Sequence, residues 1–475
     1  MFKKIVVVGM GYVGIPVAVE FANAGFDVVG VEILKWKVDW IDEGKCPIQG
    51  NEPRLAELLE KVVKNNKLRA TQDFSVCREA DAILICTETP FDLKRKEPNY
   101  SALKSAVSSV AENIRKKSLI VVESTIAPKT MEKVVKPILE KTFSKKSKKS
   151  FGVDATEFQQ EFLAFSEKPK AFPENGKPYF PYNEKNGKKA GKDFYLANCP
   201  ERVMPGKLLH NIENLDRVVG GIDQKSQELA VELYSHIVKG KLYPADCLTA
   251  EVVKTVENAY RDVQIGFANE IALICEKLGI DVFEVRELVN KCPYRNMHLP
   301  GAGVGGHCLP KDSWLLAYSV KDKIDPRMLM TAREINENMP LHMIELIEEC
   351  FKEIKKDLKK SKISIFVLAY LQNSDDTRNT PSLPIIEKLK ENGADVIVHD
   401  PYVKEYEGTH ITDDIDKSLK GSDCLVLVTA HDEYKKLNLK KIKELMGTPL
   451  IVDGRNLFSK KECEKEGFVY KGVGK

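Results

Sequence analysis

Short, nearly wholly apolar runs recur along the chain, each closed by glycine, proline or a polar residue. Ile5–Val8, Asp27–Val31, Ala82–Cys86, Leu119–Val122 and Phe194–Ala197 succeed one another in the first part of the sequence. Runs of this length, rich in β-branched residues, predict strands buried on both faces, as in a parallel sheet. Stretches of helical period separate them, beginning with Ile15–Ala24, which Gly25 stops. Arg217–Gly220 adds a further strand. From 249 to 290 the period is helical throughout and proline is absent; 324–354 is helical again, with a break predicted near Pro340. Beyond a basic linker at 355–362 the alternation returns, with strands at Ile363–Leu368, Asp395–His399, Cys424–Thr429 and Pro449–Asp453 and a helix at Leu383–Glu391. The pattern predicts an α/β protein with two Rossmann-like doubly wound domains joined by a long central helical region. Their expected bounds are 1–248, 249–355 and 356–475. Residues 142–192 interrupt the rhythm with Lys, Pro, Asn and Gly and read as a surface insertion, with a short helix at Phe151–Phe165.

The first strand runs directly into Gly9-Met10-Gly11-Tyr12-Val13-Gly14, and the second ends at Glu32. Strand, GxGxxG, helix, strand and acid in that order form the dinucleotide fingerprint. Gly9 makes the turn, Gly11 admits the pyrophosphate and Gly14 lets helix and strand pack, with the helix N-terminus facing the phosphates. A carboxylate at Glu32 accepts ribose hydroxyls and repels a 2′-phosphate, which favours NAD as cofactor over NADP. Ligands of doubly wound sheets sit beyond the carboxyl ends of the strands. That places Thr89, Pro90, Glu123 and Thr125 toward cofactor or substrate, and Glu201 past a later strand end.

Two further stretches carry candidate chemistry. Glu251, Lys254 and Asn258 share one helix face, where a cation and an amide a turn apart suit a developing oxyanion; a plain polar outer face has the same spacing. At 300–314 four glycines, Gly301, Gly303, Gly305 and Gly306, lead into Cys308, with Lys311 and Asp312 just beyond. A thiol in a glycine loop beside charged groups is a candidate nucleophile. The carboxy-terminal α/β unit has no glycine fingerprint, so its ligand is expected to be other than the dinucleotide. Asp376-Thr377-Arg378 lies at its first strand-to-helix turn, where an arginine suits a phosphate or carboxylate.

Composition narrows the classes. The 475 residues allow two or three domains, and a formal net charge of +3 spread over the chain argues against a nucleic-acid binder. Eleven cysteines, scattered singly, suggest a reducing cytoplasm rather than a disulfide framework or a metal site. No apolar run reaches the roughly 18 residues of a membrane span.

Taken together, Gly9–Gly14, Glu123–Thr125, Cys199–Gly206, Lys254–Asn258, Gly301–Asp312 and Asp376–Pro381 resemble, in order, the motifs of the UDP-glucose/GDP-mannose dehydrogenase family. The resemblance covers the chain apart from 142–192. It implies oxidation of a sugar C6 alcohol to a carboxylate with two NAD and a covalent intermediate on Cys308. Lys254 and Asn258 are then expected to stabilise the oxyanion, Asp312 with Thr125 to handle a proton, and Glu201 to help hydrolyse the thioester. Tyr12, Val13, Thr89, Pro90 and Thr125 are expected beside the cofactor. Arg202, Val203, Arg261, Gly301, Gly305 and Arg378 are expected beside the substrate, with Arg295 reaching a neighbouring subunit's substrate in a homodimer or larger homo-oligomer. Cys-Pro-Glu-Arg at 199–202 and His307 before the cysteine are similar to the branch acting on UDP-N-acetylamino sugars, whereas UDP-glucose enzymes usually carry Ser there. UDP-N-acetyl-D-mannosamine is the substrate this implies; UDP-N-acetyl-D-glucosamine and UDP-glucose are the sibling alternatives. A nucleotide-sugar binding protein without turnover and a simple 3-hydroxyacid dehydrogenase remain as other classes.

Overall fold

The computed structural model describes residues 2–48, 50, 52–141 and 189–475. Eight strands form the amino-terminal sheet, in the order Leu242–Asp246, Arg217–Gly221, Tyr195–Asn198, Leu119–Val122, Ala82–Ile85, Lys4–Val8, Asp27–Val31 and Leu68–Thr71. Neighbours are parallel except Tyr195–Asn198 against Arg217–Gly221, so the last two strands on that side run opposite to the rest. The inner strands Ala82–Ile85 and Leu119–Val122 are buried at every position, as their unbroken apolar sequences require. The outermost strands, Leu68–Thr71 and Leu242–Asp246, were not legible in the sequence. They lie at the sheet edges and keep exposed residues, so they carry no continuous apolar run.

The central region departs from its predicted outline twice. The helix expected through residue 290 ends at Leu278: Gly279 takes φ +70°, and Asp281 then caps a second helix, Val282–Lys291, by accepting from the Phe283 N–H at 2.7 Å. The break predicted at Pro340 does not occur. One helix, Arg327–Glu353, runs through it. Pro340 is buried against the glycine loop, where a Cβ on Gly303 would come within 3.1 Å of its ring. Packing has outweighed the cost of an interior proline, about 3 kcal/mol.

The carboxy-terminal sheet is wholly parallel, in the order Ile411–Thr412, Asp395–His399, Lys362–Phe366, Cys424–Leu427, Leu450–Asp453 and Val469–Gly472. Its first turn repeats the amino-terminal one closely. Gly9 N–H donates to the Val31 carbonyl at 2.8 Å, and Val367 N–H to the His399 carbonyl at 2.9 Å. Both residues have positive φ, +91° and +82°. Met10 N–H donates to Glu32, and Leu368 N–H to Asp400. Valine at such a φ is strained, and the Asp400 carboxylate is saturated by the N–H groups of Leu368, Ala369, Tyr402 and Val403. The dinucleotide turn is thus copied in backbone, with Val367 in the place of Gly9 and Asp400 in that of Glu32. The predicted insertion at 142–192 and its helix lie outside the described residues, but for 189–192. No helix among the described residues is long and apolar enough to cross a membrane.

Candidate active site

The cofactor cradle forms where strands Lys4–Val8 and Ala82–Ile85 lie side by side and the chain leaves them at their carboxyl ends. A Cβ on Gly14 would stand 1.9 Å from the Gly9 carbonyl oxygen, so helix Gly14–Asn23 closes on its strand only with glycine there. A Cβ on Gly11 would meet nothing within 4 Å, which leaves open ground over the turn. Glu32 is buried and accepts from the N–H groups of Met10, Ile33 and Leu34 at 3.1, 2.9 and 3.1 Å. These bonds fix the carboxylate at the strand end. Thr89 is buried and its hydroxyl has no hydrogen-bond partner among the described residues; the Thr87 hydroxyl is in the same state. Orphaned hydroxyls, an open glycine and a fixed acid at the switch point fit a dinucleotide.

Cys308 stands at the start of helix Leu309–Tyr318. Burial, and then Asp312, push its thiol up to about 11, against the opposing pull of Lys311 and Lys254. At neutral pH it is therefore the thiol. Lys254 is nearly buried on helix Cys247–Leu278. Burial alone would lower its ammonium, but Glu201, then Cys308 and Asp312, outweigh that and hold it above the ordinary lysine value. Asp312 is fully buried; it accepts from Asn258 Nδ2 at 2.5 Å and Lys311 Nζ at 2.6 Å. Glu201 is turned back on its own loop, where it accepts from the Val203 N–H. Burial, and then Lys311, hold the His307 imidazole down at about 4, so the ring adds no charge beside the thiol at neutral pH.

The glycine loop is pinned by the carboxy-terminal domain. Gly306, at φ +92°, donates its N–H to the Arg378 carbonyl at 2.8 Å, and Asn379 Nδ2 donates to the Gly306 carbonyl at 3.0 Å. A Cβ on Gly305 would stand 2.4 Å from Tyr370. Arg378 forks onto Asp376 at 2.6 and 2.9 Å and lies over the Tyr12 ring. Tyr370 was not singled out in the sequence; nothing local distinguishes it.

Other predicted residues fall differently. The Glu123 carboxylate does not face the cradle. It is wholly buried and pairs with Arg217 at 3.2 Å, with Tyr234 donating to its other oxygen; the side chain turned inward because a buried cation was waiting there. Glu251 shares the buried face with Lys254, but it accepts from the N–H groups of Lys129 and Met131, both at 2.7 Å, and so caps a neighbouring segment. Arg202 is engaged by Glu257 and by the Asp216 carbonyl. Thr125 is half-buried, and Pro90, Arg261 and Arg295 are exposed.

Two Rossmann-like domains meeting across a thiol-bearing glycine loop define a nucleotide-dependent oxidoreductase. The chain matches the NAD-binding domain of the UDP-glucose/GDP-mannose dehydrogenase family over residues 3–170 and 177–238, its central domain over 248–338 and its UDP-binding domain over 364–460. It belongs to this family, and it is an NAD-dependent UDP-sugar dehydrogenase. A UDP-N-acetyl-D-mannosamine dehydrogenase of Pyrococcus horikoshii is 34% identical over 472 residues, covering 99% of each chain. The solved structure of the protein so named from that organism superposes with a TM-score of 0.84 at 34% identity, covering 99% of each chain. A solved NDP-N-acetyl-D-galactosaminuronic acid dehydrogenase of Methanosarcina mazei is 38% identical with a TM-score of 0.82, covering 100% of this chain and 95% of that one.

Proposed function

We propose that the chain oxidises the C6 alcohol of UDP-N-acetyl-D-mannosamine to UDP-N-acetyl-D-mannosaminuronate, with Cys308 holding the sugar between two oxidations. The observation that carries this is the half-buried Cys308 thiol under the charges of Lys254, Asp312 and Glu201, in a chain whose full-length relatives bear that name. Bound NAD supplies the hydride acceptor for both oxidations, so two are used per sugar; Gly9, Gly11, Gly14, Glu32 and Thr89 would hold it. When the C6 aldehyde has formed, the Cys308 sulfur bonds to its carbon and the thiol proton passes to the carbonyl oxygen, giving a thiohemiacetal. The Lys254 ammonium and the Asn258 amide face the oxygen that carries charge on the way. Oxidation of the adduct leaves a thioester. Water, oriented by Thr125, Asp312 and Glu201, then displaces the sulfur and restores the thiol. Arg378, Arg202, Val203, Arg261, Gly301 and Gly305 serve the nucleotide sugar.

The division into an NAD-binding domain at 1–248, a central domain at 249–355 and a UDP-sugar domain at 356–475 belongs to this proposal. So does a homodimer or larger homo-oligomer, for which Arg295 would reach the neighbouring subunit's substrate. Val256, Tyr260, Phe267, Ile274 and Leu278 form an exposed apolar stripe on the central helix that suits such a contact. A cytoplasmic setting is supported by the eleven cysteines, all unpaired.

A galacto-configured substrate is the second reading, favoured by the 38% identity to the M. mazei enzyme. NADH yield from limiting UDP-N-acetyl-D-mannosamine tests the proposal, beside UDP-N-acetyl-D-galactosamine, UDP-N-acetyl-D-glucosamine and UDP-glucose. Two NADH per sugar from the mannosamine compound alone is expected. Two from another sugar moves the substrate; one from any removes the role of Cys308.

A further inference from the structure

The catalytic loop is gripped at both ends by one buried polar chain. At the upstream end the Gly301 N–H donates to Asn269 Oδ1 at 2.9 Å. Asn269 Nδ2 donates to Asn336 Oδ1 at 2.8 Å, and Asn336 Nδ2 to Asp262 Oδ1 at 2.8 Å and to the Asp262 carbonyl at 2.9 Å. Arg333 Nη1 closes on Asp262 Oδ1 at 2.6 Å. At the downstream end Ser313 Oγ donates to Asp262 Oδ2 at 3.2 Å. All five residues are at most 1% exposed. Asp262 and Asn269 lie on helix Cys247–Leu278, Arg333 and Asn336 on Arg327–Glu353, and Ser313 on the helix that begins after Cys308.

We propose that Asn269, Asn336, Asp262, Arg333 and Ser313 form a positioning relay that sets the register of the Cys308 loop against Lys254 and Asn258. What Cys308 does rests on the proposed function; where it is held does not. Two features point to positioning rather than to stability alone. A buried ion pair is weak evidence for stability, since apolar side chains of the same volume serve as well or better. A fully satisfied buried network does fix one arrangement of the elements it joins. The segment it spans needs fixing: four glycines precede Cys308, and Gly303 and Gly306 sit at φ +131° and +92°. The relay also shares its long helix with Lys254 and Asn258. Loop and oxyanion donors are therefore located from one element.

Asn269→Ala cuts the upstream grip and Ser313→Ala the downstream one, the latter removing only a hydroxyl. Each is compared with wild type for kcat, KM for sugar and NAD, the rate of Cys308 alkylation by iodoacetamide read on its peptide by mass spectrometry, and Tm. Expected is a kcat about 10–100-fold lower, since small misplacement of reacting groups is costly, with KM for NAD within about twofold and an altered Cys308 alkylation rate, at a Tm above the assay temperature. Unchanged kcat and alkylation in both variants would overturn the relay. So would a kcat loss that only follows the unfolded fraction. If wild type yields no NADH from any UDP-sugar, the proposed function fails, and the alkylation rates still decide the relay.

Discussion

The Arg378 guanidinium lies 5.2 Å from the centroid of the Tyr12 ring. Tyr12 belongs to the glycine turn of the first domain and Arg378 to the first turn of the last. The contact joins the two nucleotide cradles directly. Arg378→Lys keeps a charge but loses the planar fork and its stacking face. The expected result is a KM for the nucleotide sugar raised about tenfold or more, with KM for NAD changed much less. Steady-state kinetics with each substrate varied in turn reads both. Equal rises in the two constants would show that the contact serves the cofactor as much as the sugar.

Cys308 should behave as a half-buried thiol whose pKa is pushed up to about 11, loss of hydration being the first cause and Asp312 the second. Only the thiolate reacts, so alkylation of Cys308 should accelerate about tenfold per pH unit from pH 8 to pH 10. Lys254 lowers this pKa. Lys254→Ala should therefore slow alkylation at any fixed pH in that window. A rate already level by pH 8.5 would mean an ionised resting cysteine.

Glu32 is fixed by three N–H donors at the end of the second strand. Glu32→Ala removes a carboxylate acceptor from the cofactor side and frees those donors. kcat/KM for NAD should fall roughly 10–100-fold, as expected for a charge-assisted bond, and discrimination against NADP should shrink. The ratio of the two cofactors' kcat/KM values checks this, and an unaltered ratio removes Glu32 as the ribose reader.

Arg217→Ala leaves the wholly buried Glu123 without its cation. The cost is about 3–5 kcal/mol. Burial, opposed by Arg217, already holds the Glu123 carboxyl above its ordinary value, and the variant raises it further. A raised carboxyl favours the folded state below its unfolded pKa, so the variant's deficit should be smaller at pH 5 than at pH 8. Thermal unfolding at the two pH values measures it; an equal deficit at both would place the loss in packing alone.

Much of this was local and therefore legible in the chain. Apolar runs such as Ala82–Ile85 announce buried strands because both faces must be dry. The turn at Gly9–Gly14 and the loop from Gly301 to Cys308 announce themselves because few other residues fit those backbones. The missing glycines of the second unit signalled a ligand other than the dinucleotide, in line with the match to a UDP-binding domain there, although the backbone kept the left-handed turn at Val367. What the sequence left open was the choice of partner for each buried polar group. Glu123 follows a strand end just as Glu201 does, yet it turned to Arg217 and Tyr234. Edge strands such as Leu242–Asp246 bury too little to leave an apolar run, and Pro340 stays helical because the glycine loop packs against it. The sequence by itself determined the element types, the dinucleotide turn and the thiol-bearing loop, since each depends on neighbours along the chain. Only the tertiary structure decided that Asp312 answers to Asn258 and Lys311, that Arg378 covers Tyr12, and that Asp262 grips the loop through Ser313 and Asn336. Those pairings depend on where distant elements meet, and no local pattern encodes that.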